Sequence, residues 1–357
     1  MAVPADCPMT DPSPVPLATS DVAVTCADDY RLCVAPMMDW TDRHCRFFLR
    51  LVAPRARLYT EMITTGAIRH GDCHRLLDFD AAERPLALQL GGSEPADLAL
   101  AARIGERWGY DEINLNCGCP SERVQRGAFG ACLMLEPSLV AECLRAIRDA
   151  VSIPVTVKHR IGVDHHDDYA FVRDFVGHCV DAGTGVFMVH ARSAILKGLS
   201  PKENREVPPL RMETVRRLKA DFPAAIFVAN GVIQSHHQVA ELRAPMLAEG
   251  GTVTWPAVDG VMIGRAAYHD PWCLREMQTC VWGGDSGART DVLEPLQDYF
   301  DARRREGVPA RQMTRHWHGL FHGMAGARAW RREICTGEWG PLDLYRRLAQ
   351  GDLRSAA

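Results

Sequence analysis

The chain is predicted to be an α/β protein, a (β/α)8 barrel followed by a small C-terminal helical domain. Eight short apolar runs recur between residues 30 and 282, most of them separated by helical patterns. Near-continuous apolar runs are what parallel strands buried on both faces require. Almost every run ends in polar residues or glycine, and in a barrel the C-terminal ends of the strands share one pocket. The span fits the roughly 250 residues such a barrel takes. A doubly wound sheet competes, but the count of eight favours the barrel.

The elements follow in order. Five prolines in the first sixteen residues, with Asp, Ser and Thr, predict a disordered leader over 1–29 and ordered structure from near Tyr30. The strand candidates are Leu32–Pro36, Leu58–Glu61, Leu86–Leu90, Glu112–Asn116, Val155–Lys158, Val186–His190, Ile226–Asn230 and Gly260–Gly264. Helical patterns cover Asp42–Val52, Ala96–Trp108, Ser138–Ala150, Asp168–Asp181, Met212–Asp221 and Gln234–Leu247. The stretch Ala248–Ala257 stands as an insertion before the eighth strand. Gly283, Gly284 and Gly287 mark a linker after Trp282. Beyond it, Val292–Glu306 and Arg311–Ile334 read as helices of a domain over 288–357, broken at Gly307-Val308-Pro309.

Composition sets limits. No apolar run approaches the roughly 20 residues a membrane span needs. The thirteen cysteines are scattered through apparent helices and strands, which suits a reducing cytoplasm better than a disulfide framework. The net charge of −4 conceals an asymmetry: residues 302–332 carry eight Arg against Glu306 alone, interleaved with Trp317 and Trp330. Such a patch reads as an RNA-contacting surface. Nothing in the sequence calls for an obligate protein partner.

The densest chemistry lies at Asn114-Leu115-Asn116-Cys117-Gly118-Cys119-Pro120-Ser121, where a strand turns into a loop. One residue between the two thiols is too short for the usual zinc pair spacing of about 2–4, so no metal site is read here. Asp164–Asp168 reads as a solvated loop. The other strand ends offer Gln89, Lys158 with Arg160, His190, Asn230 with Gly231, and Gly264 with Arg265. In barrels the loops after strands seven and eight often bind phosphate. Gly231 and Gly264 let backbone N–H groups approach an anion, and Arg265 can grip it with a bidentate fork.

The stretch N-x-G-C-P-S resembles the signature of the tRNA-dihydrouridine synthases. So do A-P-M-M-D-W-T-D-R-H-C-R, Q-L-G-G, V-H-A-R, D-G-V-M-I-G-R-A-A-Y and G-A-R-A-W-R-R, which place the chain near the A-type members from about residue 34 to 332. The resemblance implies a barrel enzyme that uses FMN and NADPH to reduce uridine in the tRNA D-loop, with positions 20 and 20a following by analogy. It implies that Cys119, the thiol before Pro-Ser, donates the proton; the family usually has an apolar residue at Cys117. It implies that Ala35, Pro36, Met37, Gln89, Lys158, His190, Asn230, Gly231, Gly264 and Arg265 hold FMN. Asn116 and the loop of Lys202, Asn204 and Arg205 would touch tRNA, joined by Arg328 and Arg331 of the basic cluster. Asn230-Gly231-Val232 stands where the family commonly has N-G-G, and Val232 N–H can still bind phosphate if its φ stays negative.

The chemistry agrees independently. Reducing the uracil 5,6 double bond needs hydride at C6 and a proton at C5. An ordinary thiol, with a pKa of about 8.5, holds its proton at neutral pH and can still give it up. A small-molecule FMN-dependent pyrimidine or dihydroorotate-type reductase is the alternative, but it needs no basic helical domain. A non-catalytic RNA-binding protein needs neither Cys119 nor the phosphate-binding glycines.

Overall fold

Eight parallel strands form a closed ring in the computed structural model, which describes residues 27–248 and 251–351. They are β1 (Leu32–Val34), β2 (Leu58–Tyr59), β3 (Leu86–Gly91), β4 (Glu112–Cys117), β5 (Val155–Arg160), β6 (Val186–His190), β7 (Ile226–Asn230) and β8 (Gly260–Ile263). Each pairs in parallel with its neighbour from β2 through β8, and β8 pairs with β1. The ring closes where Arg57, just before β2, bridges Cys33, with Val34 N–H donating to Arg57 O at 2.9 Å. The second strand is shorter than predicted; the chain then re-enters at Ile63–Thr64, beside Leu90 and Gly91 of β3.

Alternation along the strands sorts the core into two layers. Outward residues such as Leu88, Ile113, Leu115, Val157, Phe187 and Phe227 pack under the surrounding helices. Inward residues Cys33, Ala35, Tyr59, Ala87, Met188, Val228 and Met262 fill the barrel. Gly260 is required at the foot of β8, because a Cβ there would lie 1.9 Å from Tyr30 O. Helices start where cap residues satisfy their first N–H groups. Asp42 caps Arg43–Val52, Asp168 caps Tyr169–Asp181, and Ser235 with Gln238 forms a capping box on His236–Leu242.

Of the leader only residues 27–29 lie among the described residues, in a 3-10 turn that ends on the buried Tyr30. The predicted helix Gln234–Leu247 stops at Leu242. Met246–Leu247 pairs antiparallel with Val253–Trp255, so the described part of the insertion forms a strand rather than helix. The predicted helix Arg311–Ile334 is two short helices, Ala310–Thr314 and Ala327–Ile334, joined by turns. Gly323 and Gly326 there adopt φ of 76° and 83°, which helix does not accommodate. A further helix, Pro341–Gln350, completes the C-terminal part.

That part shares its apolar core with the barrel. Helix Leu293–Arg305 lays Tyr299 on Phe47 (ring centroids 3.9 Å apart) and against His44 Nδ1 at 2.7 Å. Arg315 and His316 reach Asp42 at 2.6 and 3.0 Å. Trp317 and Trp330 are fully buried, with Trp330 Nε1 donating to Trp317 O. They are core residues, so the expectation that they interleave with Arg on an RNA-stacking surface is corrected. No described helix is long and apolar enough to cross a membrane.

Candidate active site

The strand β4 reads Glu-Ile-Asn-Leu-Asn-Cys, and its period of two decides the site. Glu112, Asn114 and Asn116 point into the barrel, where each bonds to other inward side chains. Ile113, Leu115 and Cys117 pack outward in the helix-facing core. Cys117 is fully buried near the thiols of Cys179 and Cys143, and burial pushes its own thiol well above the ordinary range. Beyond it the chain turns sharply, because Asn116 Oδ1 accepts the N–H groups of Gly118 (3.1 Å) and Cys119 (3.0 Å). This Asx turn puts Cys119, half-buried, at the mouth, with Sγ 3.5 Å from Ser121 Oγ. Asn116 Nδ2 donates to Gln89 Oε1 at 2.8 Å. An amide carries two donors, so a second N–H of Asn116 remains for a substrate.

Cations surround this thiol. Arg160, buried at the top of β5, donates to Gly118 O (3.1 Å), Ser193 O (3.1 Å) and Asn204 O (2.8 Å), tying three loops together. Lys158, two residues earlier and so also inward, has no hydrogen-bond partner among the described residues. Burial, with Arg160 adding to it, lowers the Lys158 amine to about 8. His190 ends β6, and burial chiefly, then Arg160 and Lys158, pushes its imidazole well below the ordinary range. That direction favours the neutral imidazole. Arg205 is an exposed residue, but partial burial of its guanidinium, with the charge of nearby Arg265, lowers that group from its ordinary range.

The ends of β7 and β8 form the next part of the mouth. Asn230 Nδ2 donates to Met262 O at 2.7 Å and pins the two strand ends together. Gly231 has φ 136°, and a Cβ on it would lie 2.8 Å from Leu210 Cδ1. Val232 is exposed with φ 49°, so the condition that its φ stay negative is not met. A β-branched residue in this left-handed region is strained. A Cβ at Gly264 would meet nothing, so the space above it is open. Arg265 pairs with Glu206 at 2.7 Å, across from the 203–205 turn. After β1, Ala35 N–H bonds Ile263 O at 2.8 Å, and Met37 N–H bonds Thr41 Oγ1 at 2.9 Å, which fixes the Ala35-Pro36-Met37 turn beside β8.

The structure thus brings Cys119, Gln89, Lys158, His190, Asn230, Gly231 and Gly264 to one end of the barrel. It does not bring Asn204 to a surface. That side chain is fully buried, accepts from Ile195 N–H at 2.7 Å and donates to Ile195 O at 2.8 Å. The expectation that Asn204 touches tRNA is corrected: it holds the turn that exposes Lys202 and Arg205. Arg328 and Arg331 are exposed on the C-terminal helices, and Arg331 lines a cleft with Tyr268, Arg315 and His318. Sequence reading missed Thr156, which stands on the inward parity of its strand, a signal hidden in an apolar run; Asn114 and Arg160 were named at their strand ends, but without the bonds that give them their roles.

The chemistry of these residues suits a phosphate-bearing anion. Unpartnered Lys158 and exposed Arg205 supply positive charge, Gly264 leaves open room, and Gly231 exposes backbone where no side chain fits.

A family model described as Dihydrouridine synthase (Dus) matches residues 33–339. A tRNA-dihydrouridine(20/20a) synthase of Xanthomonas campestris is 55% identical over 315 residues, covering 88% of this chain and 90% of that protein. Its namesake in Pseudomonas putida is 54% identical, covering 85% and 87%, and that of Synechocystis 50%, covering 85% and 88%. Among solved structures, a 2-naphthoyl-CoA reductase complex superposes with a TM-score of 0.51 at 13% identity, over 68% of this chain. This chain spans 49% of that structure's length, and the likeness concerns the fold alone. With a family model across most of its length and relatives above half identity, the chain belongs to the dihydrouridine synthase family.

Proposed function

We propose that this protein reduces uridine to 5,6-dihydrouridine in the D-loop of tRNA, at positions 20 and 20a, in the cytoplasm, with FMN as cofactor and NADPH as reductant. The observation that carries the reading is Cys119, held by two backbone bonds at a barrel mouth lined with cations. When bound and reduced by NADPH, FMN would supply hydride chemistry for C6 of the uracil.

The chain's residues do the rest. Cys119 gives its proton to C5 and recovers one from solvent afterwards. Lys158 and Arg205 offset negative charge on the flavin and on the uracil carbonyls as the double bond is saturated. His190, being neutral, donates a hydrogen bond without adding charge. Gly231, Gly264 and Arg265 receive the phosphate, with Arg265 exchanging Glu206 for it; Val232, whose φ is positive, is left out. Ala35, Pro36, Met37, Gln89 and Asn230 bound the flavin. A uridine stacked in folded RNA cannot present C5 and C6, so the base must be extruded into the mouth. Arg328 and Arg331, with Lys202 and Arg205 on the other rim, contact the RNA backbone.

The test is tRNA from cells lacking the gene, analysed by mass spectrometry, and its repair in vitro with the purified protein, FMN and NADPH. Restored dihydrouridine at 20 and 20a supports the reading. Turnover of free uracil or dihydroorotate with no turnover of tRNA would replace it with the small-molecule reductase.

A further inference from the structure

One unbroken line of hydrogen bonds runs through the barrel to the mouth. Gly118 and Cys119 N–H donate to Asn116 Oδ1. Asn116 Nδ2 donates to Gln89 Oε1, Gln89 Nε2 to Asn114 Oδ1, and Asn114 Nδ2 to Thr156 Oγ1, each at 2.8 Å. The Thr156 hydroxyl donates to Glu112 Oε1. At the foot, Tyr59 OH donates to that same oxygen at 3.1 Å and Arg57 Nη1 to Oε2 at 3.1 Å. Gln89, Glu112, Asn114 and Thr156 are 1% exposed or less, so below Asn116 no solvent contact interrupts the line.

Every donor in the line points toward Glu112. Three donors converge on that carboxyl, the pattern of a carboxylate, which can only accept. The direction matters because an amide has two unlike ends. If Asn116 turned over, its NH2 would face the N–H groups of Gly118 and Cys119, and its oxygen would face Gln89 Oε1. The Asx turn that carries Cys119 would then be lost. Gln89 prevents this, Asn114 orients Gln89, Thr156 orients Asn114, and the carboxylate orients Thr156. Glu112 and Asn116 are four strand residues apart, about 13 Å at roughly 3.3 Å per residue.

The interior does not need polarity to be full. Val186, Met188, Ile226, Val228 and Met262 fill the β6–β8 side with apolar groups. Buried polar groups cost desolvation that apolar packing avoids. The polar line lies only on the strands beneath the Cys119 turn.

We propose that Glu112 is a remote positioning residue for Cys119, acting through Thr156, Asn114, Gln89 and Asn116 to fix the amide orientation on which the Cys119 turn depends. The consequence for dihydrouridine formation rests on Cys119 being the proton donor; the consequence for the geometry of the thiol does not.

The experiment compares Thr156→Val, which keeps the shape and removes the relay hydroxyl, with Thr156→Ser, which keeps the hydroxyl. Full-length proteins are treated with iodoacetamide, and the alkylation rate at Cys119 is read by peptide mass mapping, with buried Cys117 as the internal control. Dihydrouridine formation and reduction of bound flavin by NADPH are measured alongside. Misplacing a reacting group by about 1 Å can cost on the order of 100-fold. Thr156→Val is therefore expected to change Cys119 alkylation several-fold and to slow dihydrouridine formation by about tenfold or more. Flavin reduction should stay within about twofold, and Thr156→Ser should restore the first two readouts. Unchanged Cys119 alkylation in Thr156→Val overturns the proposal, as does a loss that Thr156→Ser fails to restore. Altered alkylation with undiminished dihydrouridine formation supports the positioning line and removes Cys119 as the acid. Should Thr156→Val not fold, Glu112→Gln, which offers a donor at the foot of the line, is subjected to the same alkylation test with the same outcomes.

Discussion

Two cysteines stand one residue apart, and their substitution to alanine should separate cleanly. Cys119→Ala removes a thiol that is half-buried at the mouth, and its one side-chain hydrogen bond among the described residues is to Ser121 at 3.5 Å. The turn itself is held through the backbone N–H of residue 119, which alanine keeps. Stability should therefore change by less than about 1 kcal/mol, as for other sites away from packed or networked groups. Loss of a general acid typically costs 10²–10⁴-fold, or roughly 3–5 kcal/mol of transition-state stabilisation at about 1.4 kcal/mol per decade. Cys117→Ala inverts the pattern. That thiol is fully enclosed beneath the helices Pro137–Arg148 and Tyr169–Asp181, near Cys143 and Cys179. Removing one buried heavy atom costs about 1 kcal/mol of apolar transfer plus a cavity contribution, while nothing at the mouth is lost. The assay is a single turnover of pre-reduced, flavin-loaded enzyme with unmodified tRNA, with thermal unfolding measured on the same samples. Cys119→Ala should melt like the parent and form no dihydrouridine on that timescale; Cys117→Ala should melt lower and turn over normally. An active Cys119→Ala, or an inactive but fully folded Cys117→Ala, refutes the assignment.

Other consequences follow from the mouth and the C-terminal helices. Val232→Gly removes a strained left-handed valine. Relief of about 1–2 kcal/mol, less about 0.4–1 kcal/mol from the freer unfolded chain, should leave the apoprotein equally or slightly more stable; a clear fall in melting temperature refutes the strain. The Lys158 amine, lowered to about 8 in the apoprotein, should lose its charge as pH rises through that value, so FMN affinity should fall above pH 8 by up to about tenfold per unit. That inflection should be absent in Lys158→Met, and titration of FMN into apoprotein across pH checks both. On the C-terminal helices, Arg328→Ala with Arg331→Ala should leave melting unchanged, weaken tRNA binding and flatten its salt dependence by about two phosphate contacts. Trp330→Ala, by contrast, opens the shared core and should cost about 3–5 kcal/mol of stability. An Arg pair variant that binds tRNA with the parent salt slope removes those residues from the interface.

How much of this was legible follows from what kind of signal each residue gave. The eight strands were visible because burial on both faces makes each a run of apolar residues, and most boundaries fell within two residues of those found. The same reading obscured the interior. Thr156 sits on inward parity inside a run taken as near-continuously apolar, and the partners of Asn114 and Thr156 lie 25 and 44 residues away in sequence, beyond any local pattern. Trp317 and Trp330 were misplaced because an Arg-rich, Trp-containing stretch looks the same whether its rings face RNA or the core; the turns at Gly323 and Gly326 decide it. Asn204 failed similarly, since a polar residue in a basic loop was counted as surface although its amide is consumed by Ile195, Leu199 and Ser200.

The parity rule also resolves the departure at Cys117. The resemblance leads one to expect an apolar residue there, and a second thiol beside Cys119 looks like a competing acid. On β4 the inward row is Glu112, Asn114 and Asn116, so Cys117 belongs to the outward row with Ile113 and Leu115. A thiol held in apolar surroundings, pushed far above its ordinary range by burial, keeps its proton and behaves as a small hydrophobe. The substitution therefore changes the volume of the layer between barrel and helices and leaves the chemistry at the mouth alone. The chain turns immediately after it, and that turn lifts Cys119 out of the strand's alternation into the mouth, where only one of the two thiols can meet a substrate.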